Sequence, residues 1–155
     1  MNLTNMYKQI ECYFDGACEP NPGGQIGAGI YIIDGDNEIT ESFEREPAPG
    51  NTNNVAEYIA IIEVLNRILI YKQCRIAIYG DSRLVINQLN GRYKVNSGSY
   101  LPYYKQASEL LKGVRRKNIV TLQWIPREDN AIADQLSRES FVKEVVNWNL
   151  IFNDD

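Results

Sequence analysis

The hydrophobic period of this chain changes near Thr52, and that change limits the folds open to it. Before it, three stretches read with strand period: Ile10 to Phe14, Gln25 to Ile33 and Glu38 to Arg45. Short turn signals join them, DGACEPNPGG after the first and Asp34-Gly35-Asp36-Asn37 after the second. Three strands so connected predict an antiparallel meander. From Thr52, Val55, Ile59, Ile62, Leu65 and Leu69 follow helical spacing, with Asn51 or Thr52 as the N-cap. Beyond that helix, elements of the two kinds mix. Arg75 to Tyr79 reads as a strand, Arg83 to Leu89 as a helix, Arg92 to Ser99 as a loop and Leu101 to Lys112 as a helix. Ile119 to Ile125 is a strand stopped by Pro126, and a last helix runs from about Asp129 to the region of Glu144.

The order β-β-β-α-β-α-α-β-α predicts one α/β domain with a mixed sheet. The later strands, reached through helices, should lie parallel to the first by right-handed crossovers. A domain over residues 8–144 is expected, with a short extension at 1–7 and a tail at 145–155. A chain of 155 residues can bury a full core without metals or disulfides.

The three cysteines, Cys12, Cys18 and Cys74, form no C-x-x-C pair, so reduced thiols in a cytoplasmic protein are expected. No apolar run is long enough to cross a bilayer and no signal peptide is visible, so no membrane partner is expected. The net charge of −4 opposes non-specific nucleic-acid binding, yet leaves room for a local basic groove. There is no histidine at all. That removes imidazole catalysis and most zinc chemistry. Any reaction must run on carboxylates, hydroxyls, lysines, thiols or oxygen-bound metals.

Four acids stand in unusual settings. Asp15 and Asp81 each close an apolar strand, Glu57 sits on the first helix among apolar neighbours, and Asp134 sits on the last helix between Ala133 and the Gln135-Leu136 pair. Acids at the carboxyl ends of central strands line ligand crevices in open α/β sheets. Gathered carboxylates repel one another unless a cation joins them, and an all-oxygen site favours magnesium or manganese. Taken singly, each Asp also reads as a turn or cap residue, and Glu57 as a solvated helix position.

Four blocks resemble type 1 ribonuclease H. YFDGACEPNPGGQIGAGIYI is similar to that family's first hairpin, and NTNNVAEYIAII to its first helix. IYGDSRLVINQL is similar to its second aspartate turn, and WIPREDNAIADQLSR to its final strand, loop and helix. The blocks fall in the family's order across roughly residues 8 to 140.

The resemblance implies a ribonuclease H-like fold: a five-stranded mixed sheet, three antiparallel strands then two parallel, flanked by helices. It implies a monomeric endonuclease that hydrolyses the RNA strand of RNA–DNA hybrids, leaving 5′-phosphate and 3′-hydroxyl ends. The catalytic and metal-binding set would be Asp15, Glu57, Asp81 and Asp134. These would hold two Mg²⁺ ions, for which Mn²⁺ can substitute, about 3.5–4 Å apart. Asp15 would bridge both ions, with Glu57 and Asp81 favouring one and Asp134 the other. Thr52 and Asn54 would hold a DNA-strand phosphate, and Asn53 would read the minor groove. Cys18 and Asn21 would touch the RNA strand, with Gly16, Gly23 and Gly24 letting backbone approach the sugars.

The chain departs from the family pattern twice. The loop that often carries a histidine reads Pro126-Arg127-Glu128-Asp129-Asn130, so Arg127 or Glu128 would stand in for it. The region of the basic handle is short, NGRYKVNSGSYLPYYKQ, which leaves Arg92 and Lys94 there and a denser patch at Lys112, Arg115, Arg116 and Lys117. Tyr93, Tyr100, Tyr103 and Tyr104 cluster beside this region and read either as substrate contacts or as packing. Two alternatives to the enzyme reading remain: a hybrid-binding module with weak activity, and another nuclease of the same fold.

Overall fold

Residues 7–141 are described by the computed structural model. The expected extension 1–7, apart from Tyr7, lies outside the described residues, as do the expected tail 145–155 and the last helix beyond 141. Five strands form one sheet: β1 (Lys8–Glu19), β2 (Gln25–Asp34), β3 (Asn37–Arg45), β4 (Cys74–Gly80) and β5 (Ile119–Trp124). Their order across the sheet is β3-β2-β1-β4-β5. β1, β2 and β3 pair antiparallel, while β1, β4 and β5 pair parallel. Four helices complete the fold: α1 (Asn53–Ile68), α2 (Arg83–Leu89), α3 (Leu101–Arg115) and α4 at 131–141.

The element order and strand directions agree with the sequence expectations. One boundary differs in a way that matters for the site. The first strand does not stop at Phe14. It continues to Glu19, because β2 supplies partners all the way, from Asp15↔Gly29 to Glu19↔Gln25. On its other side β1 outruns β4, whose pairing ends at Phe14↔Gly80. Asp15 therefore lies inside a strand and yet beside a gap, just beyond its parallel neighbour's last pair.

Helix α1 is buried more completely than a one-sided stripe predicts. Ala56, Tyr58, Ala60, Ile61 and Val64 are buried along with the expected Val55, Ile59, Ile62 and Leu65. The reason is a second cover: α1 packs on β1 and β2 and is itself packed by α3. Leu69, expected on the apolar face, is instead the half-exposed C-cap.

Two close approaches set the helices on the sheet. A side chain at Gly16 would meet the α1 backbone, with Ala56 C 2.2 Å from the added carbon. At Gly27 and Gly29 it would meet α4, at 1.9 Å from the Ser137 carbonyl and 2.4 Å from the Ala133 carbonyl. Gly16 pairs with Ala28, between those two glycines, so side chains alternate and the two helices cover opposite faces. The expected role of Gly16 toward substrate thus has a competing cause, since α1 fills the space its side chain would need.

Candidate active site

The four acids arrive from four elements. Asp15 comes from β1, Asp81 from the residue after β4, Glu57 from α1 on one face and Asp134 from α4 on the other. All four line one open pocket of about 250 Å³, which Asn53, Arg127 and Arg138 also border. Carboxylate oxygens of Asp15, Glu57 and Asp81 lie within 4.8 Å of one another. Asp134 contributes no oxygen to that group.

Hydrogen bonds fix the walls. The Gly16 N–H donates to Glu57 Oε1 at 2.9 Å, a contact that the missing side chain of Gly16 permits. Asn130, only 1% exposed, donates through Nδ2 to the Phe14 carbonyl at 2.9 Å and to Asp81 Oδ2 at 3.4 Å. Its own carbonyl accepts from the Asp134 N–H at 3.0 Å, so one residue ties β1, Asp81 and the first turn of α4 together. The Ser137 hydroxyl sits 3.3 Å from Asp15 Oδ2. The Trp124 indole N–H donates to the Asp81 carbonyl at 3.1 Å.

The electrostatics divide the acids three to one. Burial raises the Asp15 carboxyl to about 7, and Asp81 and Asp134 push in the same direction against a favourable hydrogen bond with Glu57. Burial, then Asp15, raises Glu57 well above the carboxylate range. Burial also raises Asp81, although Asn130 and Arg127 oppose it. At Asp134 burial again disfavours charge, but the bonds to Asp15 and Arg138 and the charge of Arg127 outweigh it and hold the carboxyl low. Glu57 Oε2 is buried with no hydrogen-bond partner. Three grouped carboxylates, one with a buried oxygen that lacks a donor, are the donor set of a hard cation, which would restore all three to the charged form.

The residues expected to touch substrate form an adjoining rim. Thr52 is the N-cap of α1 and accepts from the Val55 N–H at 3.1 Å. Asn53 and Asn54 are exposed on its first turn. Asn53 Oδ1 accepts from the Cys18 N–H at 2.9 Å, and the Asn53 N–H donates to Asn21 Oδ1 at 3.1 Å. The first loop and the helix start are thus laced together. The Cys18 thiol points inward and donates to the Pro20 carbonyl. Asn51, expected as a cap or as part of a phosphate-binding helix start, is buried and braces the rim through bonds to the Gly24 and Glu46 carbonyls, each 2.9 Å.

Other expectations resolve toward packing. Tyr100, Tyr103 and Tyr104 are partly buried against the core, and Tyr58 stacks on Tyr100 at 5.9 Å between ring centres. Tyr93 is exposed. Arg127 borders the pocket, whereas Glu128 and Asp129 stand exposed in the same 3-10 turn. The residue that sequence reasoning missed is Arg138. Its signal was its place one helical turn after Asp134, and Nε lies 3.3 Å from Asp134 Oδ1.

Residues 13–140 match the family described as reverse transcriptase-like. Ribonuclease HI of Halobacterium salinarum is 35% identical over 133 residues, covering 85% of this chain and 64% of that protein. A bifunctional protein of Mycobacterium tuberculosis is also 35% identical, over 81% of this chain, but this chain spans only 34% of its length. The crystal structure of the Halobacterium enzyme superposes with a TM-score of 0.74 at 31% identity, covering 87% of this chain and 98% of that one. LC11-RNase H1, solved in complex with an RNA/DNA hybrid, gives a TM-score of 0.76 at 29% identity, covering 88% of this chain and 99% of that one. With the sheet order, the helix placement and this likeness over nearly the whole described chain, the protein belongs to the reverse transcriptase-like family, and type 1 ribonucleases H are among its relatives.

Proposed function

We propose that this chain is an endonuclease that cuts the RNA strand of RNA–DNA hybrids and leaves 5′-phosphate and 3′-hydroxyl ends. The observation that carries the reading is the group of three carboxylates within 4.8 Å, one with a buried oxygen that no donor among the described residues reaches. Asp15, Glu57, Asp81 and Asp134 would hold two magnesium ions, with manganese as a substitute. Such ions supply a bound water of lowered pKa and positive charge against the leaving oxygen. The chain's own part is positioning. Asn130 holds Asp81 and the start of α4, and Gly16 holds Glu57. The dipole at the start of α1 suits a phosphate beside Thr52 and Asn54. Asn53, tied to the first loop, would meet the minor groove, where 2′-hydroxyl contacts separate RNA from DNA.

The three described cysteines are buried and free, which supports a reducing, cytoplasmic setting, and we propose a monomer. No helix among the described residues is long and apolar enough to cross a membrane. The test is hydrolysis of a hybrid labelled within its RNA strand, with magnesium, by the parent and by Asp81→Asn. A ladder of internal cuts in the parent alone is expected. Equal rates would remove Asp81 from the mechanism, and cutting only from one end would favour an exonuclease.

A further inference from the structure

Asp134 is the one acid of the four that already has cations. Arg127, from the 3-10 turn before α4, places Nη2 3.3 Å from Asp134 Oδ1, and Arg138, one turn along α4, places Nε at the same distance from the same oxygen. Among the described residues, the other three acids have no arginine or lysine within salt-bridge distance. Both guanidiniums border the pocket. Their side chains are 62% and 43% exposed, and two groups sharing one oxygen form no bidentate fork.

We propose that Arg127 and Arg138 act as an exchangeable counter-ion for Asp134, so that the acids take up divalent cations in two stages. This rests on the metal-dependent reading above. The Asp15, Glu57 and Asp81 group, with its unpartnered oxygen, fills first. A second cation at Asp134 must displace two positive groups from Oδ1, and it meets their repulsion as it arrives. Exposed pairs of this kind are weak enough to exchange. Once released, the guanidiniums stand at the pocket edge with their donors free, and a phosphate is the anion whose geometry they fit. Phosphate arrival and occupation of the second stage are then coupled, because the phosphate takes over the partners that Asp134 gives up. The arginines are positioning residues here, acting through Asp134.

Calorimetric titration with manganese alone tests this on four full-length proteins: the parent, the double variant Arg127→Gln/Arg138→Gln, Asp134→Asn, and the triple variant. The exposed arginines can be changed without opening the core, and circular dichroism checks each fold. The parent should show one readily filled stage and a much weaker second one. The double variant should bind the second cation about tenfold more tightly, with the first stage little changed. On the Asp134→Asn background the same arginine changes should have no effect on the second stage. Unaltered second-stage affinity in the double variant would overturn the proposal. So would an equal gain with and without Asp134, which would mark a general charge effect. Absence of any binding in the parent would overturn the metal-dependent reading itself, and this inference with it.

Discussion

The two ends of β1 treat acids in opposite ways. At its start, Asp34 from β2 sits 2.5 Å from Lys8 Nζ and accepts from the Tyr71 hydroxyl at 2.7 Å. Those bonds hold its carboxyl below the ordinary range. At the far end, carboxylate oxygens of Asp15, Glu57 and Asp81 crowd within 4.8 Å with no arginine or lysine among the described residues in salt-bridge distance, and all three are raised. The same strands carry both. Where the fold needs an acid for itself, it supplies a partner. Where it gathers acids and leaves them unpaired, the missing partner has to come from outside.

That contrast breaks most visibly through activity. Glu57→Gln or Asp81→Asn should lower single-turnover hybrid cleavage by at least about a hundredfold, while Asp34→Asn leaves it within twofold. Comparable losses at both ends would mean that the cluster is not special. Next in size is the response to magnesium. At pH 8 and about 100 times its dissociation constant, the ion should raise the melting temperature by roughly 5–10 °C, and much less at pH 5. Glu57→Gln should flatten that rise.

The metal-free protein sharpens the comparison through pH. Asp15, raised to about 7, contributes stability that is complete below about pH 4 and is lost as pH climbs through 7. Glu57 and Asp81, also raised, act in the same sense. Asp34, lowered, contributes stability that is complete above about pH 4 and is lost as pH falls through its folded value. Glu57→Gln should therefore raise the metal-free melting temperature at pH 8 by about 2–4 °C, a site residue whose loss stabilises. An effect of similar size and opposite sign is Asp34→Asn, a drop of about 2–4 °C at pH 7 that vanishes under strongly acid conditions. Thermal scans from pH 3 to pH 8 in chelator read both. A drop at Glu57→Gln, or a gain at Asp34→Asn, would reverse the assignment.

Three of the acids were legible by their apolar settings, and the resemblance added Asp134 to them. Asp15 and Asp81 follow apolar strand residues, and Glu57 interrupts an apolar helix. Arg138 was not legible, since a cation one turn from an acid reads as an ordinary surface pair. Asn51 and Asn130 were hidden for a related reason. Asparagine before a helix reads as a cap, and only the packed molecule shows that both are buried and bonded across distant elements. The stretch after Phe14 reads as a loop, and cross-strand pairing with β2 turns it into strand up to Glu19.

Local pattern by itself determined the element order and the strand directions, because period and turn chemistry are written in neighbouring residues, while the four acids were picked out as a set by their resemblance to a family motif. Which acids stand close together, and which one arginines already hold, was decided by tertiary structure. Those distances depend on β1 outrunning β4 and on α4 pressing against Gly27 and Gly29. Both arise between segments far apart in the chain, where backbone contact rather than local preference sets the geometry.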